Sequence, residues 1–376
     1  MELAEFRSSL DRWLDENRAV LAREYRGPGT LDQQMAQLAK VKRLAYDAGF
    51  MRWGWPERVG GFGGSTLLRA YLGEALVSRD LIEGGAYSMT EVLAPTMIAT
   101  ARPELAAAMV PRLLRGDEIW CQGFSEPGTG SNLGALACRA TRVGDAWHVT
   151  GQKIWTSFAQ YAERCVLLTR TGTPESAHKG ITALFLDMDT PGITVRPIDA
   201  MHGSKEFCEV FFDQVVVPLD RTLGEEGRGW SFAMDLLPFE RSTALWQRTA
   251  YLHLRLAQIL DLAPAGGLDP ERLAEVTQLV YALRSRSWAT QHRLAAGEHL
   301  GPETSIDKVL VATAEQAVFD LAADGLGDDV TIGDGAESER WRAEYLYSRA
   351  ASIYGGSGEI QRNIIARQLL DLGADR

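Results

Sequence analysis

The texture of the chain changes twice along its length, and this limits the fold more than any single motif. Up to about residue 118, apolar residues recur with a helical period. Leu3, Phe6, Leu10, Trp13 and Leu14 share one face, and the stretches Leu31–Ala48, Leu67–Val77 and Glu104–Leu114 repeat the pattern. From Ile119 to about Trp230 the chain breaks into short runs rich in aromatic and β-branched residues, among them Trp147–Thr150, Cys165–Thr169, Thr182–Leu186 and Val210–Phe212. Turn residues separate them at even spacing, which predicts antiparallel strands in a sandwich or barrel. Beyond Trp230 the helical period returns over Phe232–Leu262, Pro270–Gly297 and Ser305–Ala323, with a last helix from Gly358 to Leu372. Ala263–Gly267 ends one of these helices and Asp269-Pro270 starts the next. The expected organisation is therefore mainly α with a middle β-domain: a helical domain over 1–118, a β-domain over 119–231 and a helical bundle over 232–376.

Bulk properties exclude several functions. The 376 residues suit two or three packed domains, and a net charge of −11 offers no broad basic surface for nucleic acid or an anionic membrane. An anionic cofactor would have to be held by local features such as helix N-termini or a few placed arginines. No apolar run is long enough to span a bilayer, and no signal-peptide pattern opens the chain. The four cysteines, Cys121, Cys138, Cys165 and Cys208, form no C-x-x-C pair. A reducing, cytoplasmic compartment is expected, and an Ala-, Arg- and Gly-rich composition fits a bacterial source. The histidines have no metal-ligand spacing, so no metal is assigned.

Four stretches bear chemistry. Cys121-Gln-Gly-Phe-Ser-Glu-Pro-Gly-Thr-Gly-Ser-Asn132 is too rich in glycine and proline for regular structure. It reads equally as an ordinary tight loop or as a phosphate or cofactor loop, with Ser125 and Ser131 adding hydroxyls. In Gly151-Gln-Lys-Ile-Trp-Thr-Ser157, Trp155 is either a core tryptophan or an indole face offered to a planar ring. In that second case Thr156 or Ser157 would bond the ring's edge. Phe239-Glu240-Arg241 places a carboxylate among apolar helix neighbours; it is either an ion pair with Arg241 or Arg248, or a base. Ile353-Tyr-Gly-Gly-Ser-Gly-Glu359 leads a glycine turn into a helix, a plain junction or an anion site.

Taken together and in this order, the four stretches resemble the acyl-CoA dehydrogenase family over nearly the whole chain. The resemblance implies an N-terminal helical domain, a β-domain and a C-terminal four-helix bundle, with FAD between them. It implies loss of the α and β hydrogens of an acyl thioester, the proton to a carboxylate and the hydride to flavin N5. The chemistry would belong to the flavin, and the protein would supply position and a base. By resemblance Phe124 and Ser125 lie along the flavin ring, Trp155 stacks on it, and Thr156 and Ser157 bond its edge. Ser131 touches cofactor or ligand phosphate, Ser357 and Glu359 contact FAD, and Arg241, Tyr354 and Gly355 border the substrate.

The chain also departs from the family pattern. Many members carry the catalytic glutamate just after the tyrosine of the C-terminal signature, where this chain has Gly355. A subset places it before the arginine on the helix after the β-domain, the position of Glu240, which is therefore the expected base. The R-x-x-F-G motif of many members is missing between Leu262 and Leu283, and their Q-x-x-G-G segment reads Ala323-Asp-Gly-Leu-Gly-Asp328. Asn132 stands where Asp is common. These changes favour either a homo-oligomer, dimer or tetramer, with loosely held FAD, or an α₂β₂ heterotetramer with a related subunit. The expected ligand is an acyl-CoA, with an acyl-carrier protein as the other carrier. The competing functions are a non-catalytic or half-site subunit and a flavin monooxygenase or acyl-carrier-protein oxidase of the same fold.

Overall fold

The computed structural model describes residues 1–240 and 242–373. Its first part contains α1 (Leu3–Glu16), α2 (Arg18–Leu21), α3 (Leu31–Asp47), α4 (Thr66–Ser78), α5 (Gly84–Thr100) and α6 (Pro103–Arg115). Helix α3 starts where Thr30 and Gln33 cap each other's backbone amides. Helix α6 stops at Gly116, whose φ of +81° suits a residue without Cβ. Sequence periodicity passes over α5 because nine of its residues are buried, leaving no polar face to mark a helical period.

The middle part is one sheet of β1 (Trp120–Gly123), β2 (Arg139–Val143), β3 (Ala146–Ser157), β4 (Arg164–Arg170), β5 (Ile181–Asp187), β6 (Ile193–Pro197), β7 (Phe207–Pro218) and β8 (Thr222–Leu223). The order is β6-β7-β3-β2-β4-β5-β8, with β1 also on β4. Most pairs are antiparallel, but β1 and β2 each run parallel to β4, a mixture the strand spacing alone does not predict. Strands β4 and β5 are buried on both faces. Val166, Leu168, Ala183 and Phe185 pack into a core with α5, α6 and α7, and Cys165, Leu167, Leu184 and Leu186 pack with residues of β3 and β7. This explains why they read as continuous apolar runs.

The last part contains α7 (Gly229–Glu240), α8 (Thr243–Leu262), α9 (Pro270–Ala295), α10 (Thr304–Leu326), α11 (Asp328–Thr331), α12 (Ala336–Ser348) and α13 (Gly358–Ile364). Helices α8, α9, α10 and α12 make the C-terminal four-helix bundle; Asp269 caps α9 by accepting from the Glu271 amide, with Pro270 in the first turn. Two expectations are corrected here. The segment Phe232–Leu262 is two helices, because Pro238 removes an amide near the end of α7 and Ser242 leaves helical geometry at φ −126°, ψ −81°. The helix from Gly358 to Leu372 is shorter than expected, with α13 giving way to a π-helical turn over Ile365–Leu369. Among the described residues no helix is long and apolar enough to cross a membrane.

Candidate active site

One half of the site is built at the end of β3. From Lys153 to Thr156 the strand advances one residue more than its partner, which runs from Val210 to Cys208. Such a bulge twists the strand and re-aims its side chains. Trp155 sits at the bulge with φ +58°, a costly conformation for a bulky residue, and its side chain is 56% exposed. The indole meets the Phe207 ring edge-to-face, with centroids 6.1 Å apart, and is otherwise largely in solvent.

The loop after β1 is fastened to this bulge. The Ile154 amide donates to the Ser125 carbonyl at 2.9 Å. Lys153, fully buried, donates to the Phe124 carbonyl at 3.1 Å and pairs with Glu126 at 2.7 Å. The Glu126 carboxylate also accepts from the amides of Ala137 and Cys138, at 2.6 and 2.8 Å. Burying both charges costs several kcal/mol per ion, offset only where pairing and hydrogen bonding are this complete. Sequence reading named neither residue. The available signal was a lysine inside a strand and a glutamate inside a glycine loop.

Further along that loop, a Cβ placed on Gly128 or Gly130 would meet nothing within 4 Å, so a ligand can approach the backbone. The hydroxyls of Thr129 and Thr156 are buried without a hydrogen-bond partner. Buried polar groups are normally satisfied. An open indole, an approachable glycine turn and two unsatisfied hydroxyls fit a flat heterocycle with polar edges.

The other half comes from helix ends. Glu240 is the last residue of α7, and Gly355 lies in the turn before α13 at φ +63°. A Cβ at Gly355 would stand 2.9 Å from Oε1 of Glu240 and 3.1 Å from Cε of Lys308. The fold therefore brings Glu240 to the turn position where the resemblance leads one to expect a glutamate. Lys308, nearly buried, donates to the Ala351 carbonyl and lies 4.5 Å over the Tyr354 ring. Tyr354 donates to Glu315 at 3.3 Å, and Arg248 grips the same carboxylate with bonds of 2.8 and 2.6 Å. Of the two arginines expected near Glu240, Arg248 thus pairs with Glu315, and Arg241 lies outside the described residues.

A bridge joins the halves. The Phe158 amide donates to the Glu206 carbonyl at 2.6 Å, and Ser157 pairs with Phe207. Burial pushes the Glu206 carboxyl up to about 7, against the opposing pull of Tyr347 and Arg248. The Tyr347 ring lies 6.1 Å from that of Tyr354. Hence Phe124, Ser125, Trp155, Thr156 and Ser157 form one group, Glu240, Tyr354 and Gly355 another, and Glu206 and Tyr347 link them. Ser131 and Glu359 are exposed, and Ser357 caps α13. Among the described residues, no hydrogen bond or ring contact ties these three to Trp155.

Comparison with known proteins follows this geometry. Family models for the acyl-CoA dehydrogenase N-terminal, middle and C-terminal domains match residues 1–117, 121–215 and 227–370. Over 381 residues the chain is 37% identical to acyl-CoA dehydrogenase IpdE1 of Mycobacterium tuberculosis, covering 99% of this chain and 98% of that one. The solved structure of the Tcur3481-Tcur3483 steroid ACAD is similar with a TM-score of 0.82 at 25% identity, covering 99% of this chain and 96% of that one. The ChsE4-ChsE5 complex from Mycobacterium tuberculosis shares the fold, with a TM-score of 0.79 at 24% identity over 99% of this chain and 98% of that one.

Proposed function

This chain belongs to the acyl-CoA dehydrogenase family, a family of flavin-dependent oxidoreductases, and from that premise we propose that it uses FAD and Glu240 to remove the α and β hydrogens of an acyl-CoA. The observation that carries this reading is the Glu240 carboxylate lying against Gly355. A Cβ at that position would stand 2.9 Å from Oε1, so the glycine is what lets the carboxylate lie against the turn.

In this reading the α-proton passes to the Glu240 carboxylate while a hydride leaves Cβ. The flavin, when bound, supplies the acceptor for that hydride. Trp155 and Phe124 hold the flat face of the ring, and Ser125, Thr156 and Ser157 bond its polar edge. Ser131, Ser357 and Glu359 serve the extended part of FAD. Tyr354 and Gly355 wall the reacting carbons, with Ser131 toward the rest of the thioester, and Arg241 keeps the substrate-side role that the resemblance implies. The bulge at Trp155 and the buried Lys153–Glu126 pair hold the ring-side residues in fixed relation to one another, the kind of positioning that lowers a barrier.

Replacing Glu240 by Gln tests the assignment. Anaerobic bleaching of the flavin band by an acyl-CoA should slow by about 10²- to 10⁴-fold, the scale of a lost general base. Flavin content should stay that of the unmodified protein. Near-full turnover by the Gln variant would sink the assignment.

The assembly has two readings. The missing R-x-x-F-G motif between Leu262 and Leu283 and the two-component names of the solved relatives favour an α₂β₂ heterotetramer with a related chain. A homo-oligomer is the alternative. The visible spectrum of the purified chain, with and without added FAD, separates them. A flavin band at about one FAD per chain supports the homo-oligomer. No band after adding FAD supports the paired assembly.

A further inference from the structure

Lys308 is a buried cation beside the base. It is 3% exposed, its Nζ donates to the Ala351 carbonyl, and it lies 4.5 Å over the Tyr354 ring. A carbonyl and a ring face give the ammonium a direction without cancelling its charge. Removing a charge from water is repaid only where an opposite charge is near. Glu240 supplies one. A Cβ at Gly355 would meet Oε1 of Glu240 at 2.9 Å, and Cε and Cδ of Lys308 at 3.1 and 3.8 Å. The two side chains share the space beside this turn. Oε1 and Cε therefore lie no more than about 6 Å apart, close to the range in which an opposite charge favours an ionised carboxylate.

The other charged groups around them are engaged elsewhere or face solvent. On α10, Asp307 accepts from Arg286 of α9 at 2.6 Å, and Asp320 accepts from Arg349 at 2.9 Å. Glu315 is held by Arg248 of α8 and by the Tyr354 hydroxyl, and Glu344 of α12 lies 4.0 Å from Arg248. Glu206 is bonded to Tyr347. On α5, which packs against α7, Glu91 is 3.4 Å from Arg69. Asp235 of α7 and Glu359 and Arg362 of α13 are exposed. Arg241 lies outside the described residues and is common to every protein compared below.

We propose that Lys308 is a positioning residue for the reaction: its ammonium holds the Glu240 carboxylate charged and in place against Gly355, ready to accept the α-proton. This rests on the reading of Glu240 as the base. It also gives the glycine at 355 a second reason, since a side chain there would displace carboxylate and lysine alike.

The test reads the carboxyl itself, so it needs no knowledge of the acyl group. Infrared difference spectra between the unmodified protein and Glu240→Gln isolate protonation of this one group. The titration is run on the flavin-loaded protein, with its partner chain if one is required. Lys308→Met keeps the stem and removes the charge, and Lys308→Arg keeps the charge; each is paired with its own Glu240→Gln counterpart. The Met variant should raise the midpoint by about one pH unit or more, a tenfold change in proton affinity, and the Arg variant should leave it within about 0.3. A lysine that only fastened the turn would move neither. An unmoved midpoint in the Met variant overturns the proposal, and so does an equal rise in both variants. If the Met variant fails to fold, Lys308→Gln takes its place, and if that fails too the midpoint of the unmodified protein decides. At or below about 5.5 it supports the proposal; above that, burial and not the ammonium governs the carboxyl, and the proposal falls. None of these outcomes touches the acyl-CoA reading, which stands or falls on the turnover of Glu240→Gln.

Discussion

The two halves of the site are made in opposite ways. The ring-facing half lies largely in two short stretches, Phe124–Glu126 and Lys153–Ser157, locked together by a buried ion pair and backbone bonds. The base-bearing half gathers Glu240, Lys308, Tyr354 and Gly355 from α7, α10 and the turn before α13, with no strand pairing among them. The contrast teaches where each half is sensitive. Fixed by local covalent and strand geometry, the first tolerates little change. The second depends on helix packing and can in principle swap the origin of its carboxylate.

The strongest way to break this comparison is to move the base. Glu240→Gly should cost about 10³-fold or more in flavin reduction, and adding Gly355→Glu should recover part of it, because the vacated space adjoins the new side chain. Recovery will be incomplete, since φ +63° strains any residue with a Cβ. Stopped-flow bleaching reads both effects, and no recovery would mean that the two positions do not serve the same carbon.

Next in size is the buried pair. Lys153→Met should destabilise the protein by about 3 kcal/mol by leaving the Glu126 charge buried and unpaired. Adding Glu126→Gln should restore a share of that loss. Chemical denaturation of the flavin-free chain measures both, and strictly additive losses would deny the coupling.

A smaller effect sharpens the role of the bulge. Trp155→Ala should change stability by less than about 0.5 kcal/mol, because the indole is mostly in solvent. Flavin retention should nonetheless fall by about 10-fold, a loss comparable to one stacked aromatic contact. Unchanged flavin content in a filtration assay would remove Trp155 from the site.

The smallest effect concerns the bridge. Burial raises the Glu206 carboxyl from an ordinary 4.5 to about 7, with Arg248 and Tyr347 opposing and Glu344 and Glu83 reinforcing. The folded state thus prefers the protonated form. Its contribution is fully present below about pH 4.5 and is lost as pH rises through about 7. Glu206→Gln mimics the protonated group, so the variant should gain stability relative to the unmodified protein between about pH 5 and about pH 8. His253, pulled down to about 4 by burial and Arg284, acts in the opposite sense in both proteins and cancels in the difference. Urea midpoints at the two pH values measure it, and parallel curves would mean that Glu206 titrates normally.

By itself, the sequence determined what is written in short range. The helix, strand, helix order followed from a period of 3.6 or 2, because burying one face of an element imposes that spacing. The glycine loop and the Trp155 strand stood out because the residues the resemblance assigns to the ring are contiguous, and it was the resemblance that singled out Glu240 by its place before Arg241. Helix α5 escaped because it is buried all round, and the break after Glu240 escaped because apolar period continues across Pro238. Only the tertiary structure decided that Glu240 meets Gly355, that Arg248 pairs with Glu315, and that Arg255 lies beside Glu344. Such encounters are set by how helices and sheet pack against one another. An ionisable residue spells its partner nowhere in its own neighbourhood, since the burial and charge that define its chemistry come from segments a hundred residues away.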